Sequence, residues 1–171
     1  MKTILIYTIL FTTILYAKEP LSLVKIFQDT FTKDVAVGQK DIVLSQKQKN
    51  TLQKLAKAKI DSNKIRFYVV KKTNKTVGYG VLLSQRIRTK KAVMLYLIDK
   101  DVKIKNIEIL AFHEPSEYKP YSSWKNIFTG KTATDDLRAG HGVPTISGAT
   151  LSARAISDAA RIALAVVAEE K

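Results

Sequence analysis

Residues 64–72 read KIRFYVVKK, and the fold turns on how they are read. Ile65, Val69 and Val70 are β-branched, and Phe67 and Tyr68 are aromatic. Such side chains fill a pleated surface well and lose rotamer freedom in a helix, so the stretch predicts a strand. Asn74 supplies the turn after it. Residues 76–87, TVGYGVLLSQRI, predict a second strand, and residues 92–98, AVMLYLI, a third. Asp99-Lys100-Asp101 turns into residues 102–112, VKIKNIEILAF, a fourth, with Ile104, Ile107 and Ile109 as its apolar positions. Short turns between these runs are hairpin signals, and consecutive hairpins give an antiparallel meander.

Upstream of this block the spacing is helical. Residues 21–31 are apolar at 23, 24, 27 and 31, until Gly38 interrupts the chain. Residues 44–60, LSQKQKNTLQKLAKAKI, carry Leu44, Leu52, Leu55, Ala56 and Ile60 among lysines, which predicts an amphipathic helix capped by Ser45. Downstream, residues 113–147 hold three prolines and several glycines and aromatics. They predict a long loop with one helical turn around Trp124–Phe128. Residues 151–168, LSARAISDAARIALAVVA, then set apolar side chains at 151, 155, 156, 159, 162, 163 and 166. That is a helical stripe, with Ser157 and Asp158 expected on its polar side. The expectation is one α+β domain at 64–171: a twisted antiparallel sheet of about four or more strands, helices on one face, and a long loop before a C-terminal helix. Residues 18–63 are expected to be a helical segment in front of it.

The chain of 171 residues is long enough for a packed core, and its 46% apolar and 26% charged content is that of a globular protein. It has no cysteine, which excludes disulfides, thiolate metal sites and c-type haem. His113 and His141 lack partners at metal-ligand spacing. Gly78-Tyr79-Gly80 lacks the rest of a dinucleotide fingerprint and reads as a strand bulge. No serine stands in a nucleophile elbow.

Residues 1–17, MKTILIYTILFTTILYA, join one lysine to a short apolar run and end on a small residue. This reads as a secretory signal peptide cleaved after Ala17, with a retained N-terminal anchor as the alternative. A periplasmic or otherwise exported protein is expected. Net charge is +14; residues 1–17 contain one of the lysines, so removing them leaves +13. Nucleic acid is a poor partner outside the cytoplasm. An anionic membrane surface, an acidic redox partner or a phosphorylated cofactor fits that charge better.

Ahead of the last helix, residues 144–154 read PTISGATLSAR. One reading is helix-start chemistry: Ser147 or Thr150 caps the helix and Gly148 takes an unusual dihedral. The other uses the unpaired N–H groups and positive dipole of a helix start as a phosphate seat, with Gly148 and Ala149 leaving room and Thr150 presenting its hydroxyl.

Ser147-Gly148-Ala149-Thr150, followed by Leu151-Ser152 and an alanine-rich helix, resembles the flavinylation motif of the FMN-binding domain family. That domain occurs in subunits of sodium-pumping NADH:quinone oxidoreductase and of ferredoxin-linked respiratory complexes, in nitrous oxide reduction regulators, and in small stand-alone periplasmic flavoproteins. The likeness reaches upstream to Trp124, Phe128, Gly130 and Lys131 in WKNIFTGK and spans roughly residues 75–168. It implies covalent FMN on Thr150 through a phosphoester, installed by a flavin transferase that splits FAD with magnesium. Ser147, Gly148, Ala149, Leu151 and Ser152 would surround the attachment point. Trp124, Tyr118, Tyr121 or Phe128 would cover the ring, and Lys131 would sit near the phosphate or ring. The family motif usually begins with aspartate six residues before the threonine; here that residue is Pro144.

The function this implies is electron transfer between a membrane-linked donor and an extracytoplasmic acceptor, carried by a periplasmic redox flavoprotein more than by a stand-alone catalyst. The competing reading is a basic periplasmic binding module of the same fold without flavin.

Overall fold

The computed structural model describes residues 21–171, with side chains from residue 23 onward; the expected signal peptide lies outside the described residues. The sheet has five strands in chain order, every neighbouring pair antiparallel: β1 (Ala36–Val43), β2 (Lys64–Lys72), β3 (Lys75–Arg86), β4 (Lys91–Asp99) and β5 (Ile104–Phe112). The expected α+β meander is therefore present, with β1 as an additional strand inside the segment read as helical. Thr73 and Asn74, at φ 46° and 62°, make the tight β2–β3 turn. Three bulges break the ladders. Val77 is left over where Val70 pairs with Gly78 and Lys71 with Thr76. Lys105 and Leu110 are left over in β5, so Ile104 and Ile107 share the core three positions apart rather than two.

The other elements are α1 (Leu21–Thr30), α2 (Gln46–Ala56), the short α3 (Ser122–Lys125) and α4 (Thr150–Glu170). Ser45 caps α2 as expected: its hydroxyl accepts from the Gln48 N–H while the Gln48 side chain accepts from the Ser45 N–H, which satisfies two orphan donors at once. α4 lies across one face of the sheet, against β3 and β4, with α2 beside it. Ile156, Ala159, Ala160 and Ala163 are fully buried, because alanines let the helix approach the strands closely. The Tyr96 hydroxyl of β4 donates to the Ile156 carbonyl of α4 at 2.8 Å. Full burial raises its pKa, which keeps it a phenol. Ser157, expected on the polar side, is buried instead, since α4 is covered nearly all round in its middle turns. Asp158 stays at the surface and pairs with Arg161.

α1 covers the opposite face, where the sequence predicts helices on one face only. β2 and β4 are apolar on both faces: Phe67, Met94, Tyr96 and Ile98 join the α4 core, and Tyr68, Val70, Leu95 and Leu97 join Phe27 of α1. Gly78 and Gly80 admit α1. A Cβ on Gly78 would lie 2.2 Å from the Phe31 ring, and one on Gly80 2.7 Å from the Phe27 ring. The pair thus marks both the expected bulge and a docking notch.

The loop after β5 runs back along that edge strand. Lys125 Nζ donates to the Ile107 carbonyl at 2.8 Å, and Gly130 and Lys131 exchange backbone hydrogen bonds with Ile104 at 2.7 and 2.9 Å. Trp124 and Phe128 pack edge-to-face at 5.3 Å, buried in the α4-side core. The edge of β5 is covered in this way, which removes an aggregation-prone ladder.

Candidate functional site at the head of α4

The site begins with a turn. Gly148 sits at φ +74°, in the left-handed region that glycine enters without a Cβ penalty, and the Ala149 N–H donates to the Ile146 carbonyl at 2.9 Å. Ala149 is the N-cap of α4, and no side chain caps the helix. Neither Ser147 nor Thr150 therefore does the capping expected of them in the helix-start reading. Ser147 is exposed, and Thr150 is the first helical residue, half-buried. Thr150 Oγ1 has no hydrogen-bond partner among the described residues. Two turns of favourable chemistry are thus left open together: free backbone N–H groups and an uncommitted hydroxyl.

A cavity of about 400 Å³ opens here, lined by the run Gly148–Ser152, Tyr118 and Arg88. Its size falls within the usual range of small-molecule sites, roughly 300–1,000 Å³. Leu151 stands 44% exposed at its lip, an apolar surface at a helix start. Ser152 is 1% exposed, and its hydroxyl has no partner among the described residues. A buried, unsatisfied hydroxyl costs about 1–3 kcal/mol unless something else bonds it, so its place in the lining points to a polar ligand.

Arg88 belongs to the turn between β3 and β4 and was not anticipated as a site residue. Its guanidinium lies over the Tyr118 ring, 5.0 Å from the centroid, and makes no ion pair among the described residues. Glu114 holds that turn in place. One carboxylate oxygen accepts from three successive backbone N–H groups: Arg88 at 3.1 Å, Thr89 at 2.7 Å and Lys90 at 2.8 Å. Three convergent amides make an anion nest, and here the chain fills it with its own carboxylate. These bonds, from Lys90 first and then Thr89 and Arg88, hold the Glu114 carboxyl below the usual range.

The remaining expected site residues lie elsewhere. Trp124 is not in the cavity lining; its indole N–H donates to the Pro144 carbonyl at 2.8 Å and pins the strap that leads to the glycine turn. Lys131 sits beside Ile104, at the opposite end of β5 from the turn that Glu114 holds, and pairs with Asp135 at 3.1 Å. The reason is the loop's path: it crosses the whole of β5 before turning back toward α4. Of the four aromatics considered as ring covers, Tyr118 lines the cavity, Tyr121 is 74% exposed, and Trp124 and Phe128 are core residues. His113 and His141 are exposed, and no group of acidic or histidine side chains suited to a metal occurs among the described residues.

The site thus brings a helix start, an open glycine turn and an arginine without an ion pair among the described residues to one end of the sheet of an α+β domain. Residues 89–165 match the family model of the FMN-binding domain, so this region of the chain is an FMN-binding domain and the chain carries a flavin-binding module. A search of curated proteins and a search of solved structures each found no match. The cavity's size, the orphaned Ser152 hydroxyl, the apolar lip and the Arg88 cation all suit a phosphorylated aromatic cofactor such as FMN.

Proposed function

We propose that this protein carries FMN covalently on Thr150, through a phosphoester to Oγ1, and works outside the cytoplasm as an electron carrier between a membrane-linked donor and an extracytoplasmic acceptor. The observation that supports this reading best is Thr150 itself. It is the first residue of a side-chain-uncapped helix, its hydroxyl is uncommitted, and it opens into a cavity within the FMN-binding domain. Attachment by a flavin transferase balances simply. A Thr150 Oγ1–phosphorus bond forms, the pyrophosphate bond of FAD breaks, AMP leaves, and the hydroxyl proton passes to solvent. Bound FMN supplies one- and two-electron exchange. The chain's own share is to seat the phosphate on the first-turn amides of α4 and to offer Leu151 and Tyr118 as apolar surface. Export rests on the reading of residues 1–17. Among the described residues no helix is long and apolar enough to cross a membrane.

The test is the intact mass of the exported protein made together with a flavin transferase. The expected mass is that of the chain plus one FMN less one water, with yellow colour kept after denaturation, and Thr150→Val abolishes both. Pro144, standing where related motifs have aspartate, favours the second reading, a flavin-free basic binding module. A colourless wild-type chain of unmodified mass would establish that reading instead.

A further inference from the structure

We propose that Arg88 is the counter-cation for the phosphate of the flavin on Thr150, and that Glu114 is a positioning residue that holds Arg88 there through the β3–β4 turn. The inference rests on Thr150 as the attachment point.

Three observations carry it. Arg88 lines the same cavity as Thr150 and Ser152, and it reaches that cavity from a different element. It makes no ion pair among the described residues, the Glu114 carboxylate being spent on the turn's backbone N–H groups and acting on Arg88 only through its charge, and its guanidinium carbon lies 5.0 Å from the centroid of Tyr118, a ring in the same lining. Ser152, buried with its hydroxyl unpartnered among the described residues, supplies a second donor in the same lining. A phosphodiester is a singly charged, multi-acceptor group, and an arginine with a hydroxyl and helix-start amides is a suitable donor set for it.

Glu114 explains why the arginine is where it is. The turn has one backbone bond of its own, from the Ile87 N–H to the Lys90 carbonyl at 3.1 Å; without the carboxylate its three convergent amides would lose their shared acceptor. Glu114 stands two residues beyond the end of β5, and Tyr118 four residues further on. One short segment thus fixes both the turn that carries Arg88 and the ring on which Arg88 rests. Arg88 lies one residue before the stretch that matches the family model, so the role is inferred from this chain's geometry alone.

The experiment uses the whole chain produced with a flavin transferase and follows two readouts: the loaded fraction by intact mass over time, and the phosphorus-31 resonance of the purified loaded protein. Arg88→Gln should load about tenfold more slowly, the scale of one lost charge-assisted contact. In the fraction that does load, its resonance should move toward that of a free dialkyl phosphodiester. Arg88→Lys, which keeps the charge, should load faster than Arg88→Gln. Glu114→Ala should shift the resonance in the same direction as Arg88→Gln, and Glu114→Gln, which keeps an acceptor oxygen, should restore part of it. If Arg88→Gln loads not at all while Arg88→Lys does, the charge requirement stands. If Arg88→Gln loads slowly but leaves the resonance unmoved, Arg88 serves the transferase and the proposal is overturned. An unmodified wild-type chain would instead overturn the flavin reading itself, a result distinct from either.

Discussion

Thr150, Gly148 and Arg88 are three kinds of evidence at the scale of single residues. The Ser147–Thr150 motif stands out in the sequence because it is local, four neighbours long. Gly148 was legible as an unusual dihedral, and φ +74° is the confirmation. Arg88 was not, because it stands in RIRTKK, a run that reads as solvated charge; only its long-range link to Glu114, about 25 residues away, sets it apart. Gly148→Ala tests the turn without a steric confound, since a Cβ there would have nothing within 4 Å. The left-handed dihedral alone should cost about 1–2 kcal/mol, a fall in Tm of a few degrees, with Gly148→Asn milder. Calorimetry of the three proteins checks the order. Glu114 carries a pH signature. Its folded pKa is lowered from the usual 4.5, so its stabilisation is complete above that value and is lost as pH falls through the lower folded value. The Tm gap between wild type and Glu114→Ala should therefore be widest near pH 6 and narrow toward pH 3. A gap that widens on acidification would refute the clamp.

Strands β2 to β5 and helices α2 and α4 follow from periodicity, because each buries a face whose pattern repeats along the chain. β1 escaped that signal. It reads AVGQKDIV, an edge strand with Ile42 as its only buried side chain, so pairing with β2 and not apolar content defines it. The side on which α1 lands was also illegible. An amphipathic stripe says that a helix packs, not against which face, and the answer lay in Gly78 and Gly80 on another element. Gly80→Ala should make this visible. Its Cβ would stand 2.7 Å from the Phe27 ring and 3.2 Å from Tyr68 Cβ, overpacking worth about 1–3 kcal/mol. Phe27→Leu should relieve part of that cost, so the double mutant should be more stable than additivity predicts, as chemical denaturation would show.

At the scale of the molecule, the sheet is sandwiched by α1 on one side and by α4 with α2 on the other, and the loop after β5 wraps the free edge. The cavity at the head of α4 is built where three separate parts of this arrangement meet: a turn between strands, the start of a loop, and the start of the longest helix. That convergence was out of reach of a linear reading, which singled out Thr150 and placed Lys131 near it, although the loop carries Lys131 to the far end of β5. The proposed carrier role has a kinetic corollary at this cavity. Its lining comes from one short run of the chain and two side chains, Arg88 and Tyr118, so on that proposal a reductant and an oxidant of protein size would compete for the same small surface and visit in turn. Steady-state rates measured with both varied should then trace parallel double-reciprocal lines, the signature of a shuttle emptied before it is refilled, whereas converging lines would require a second port.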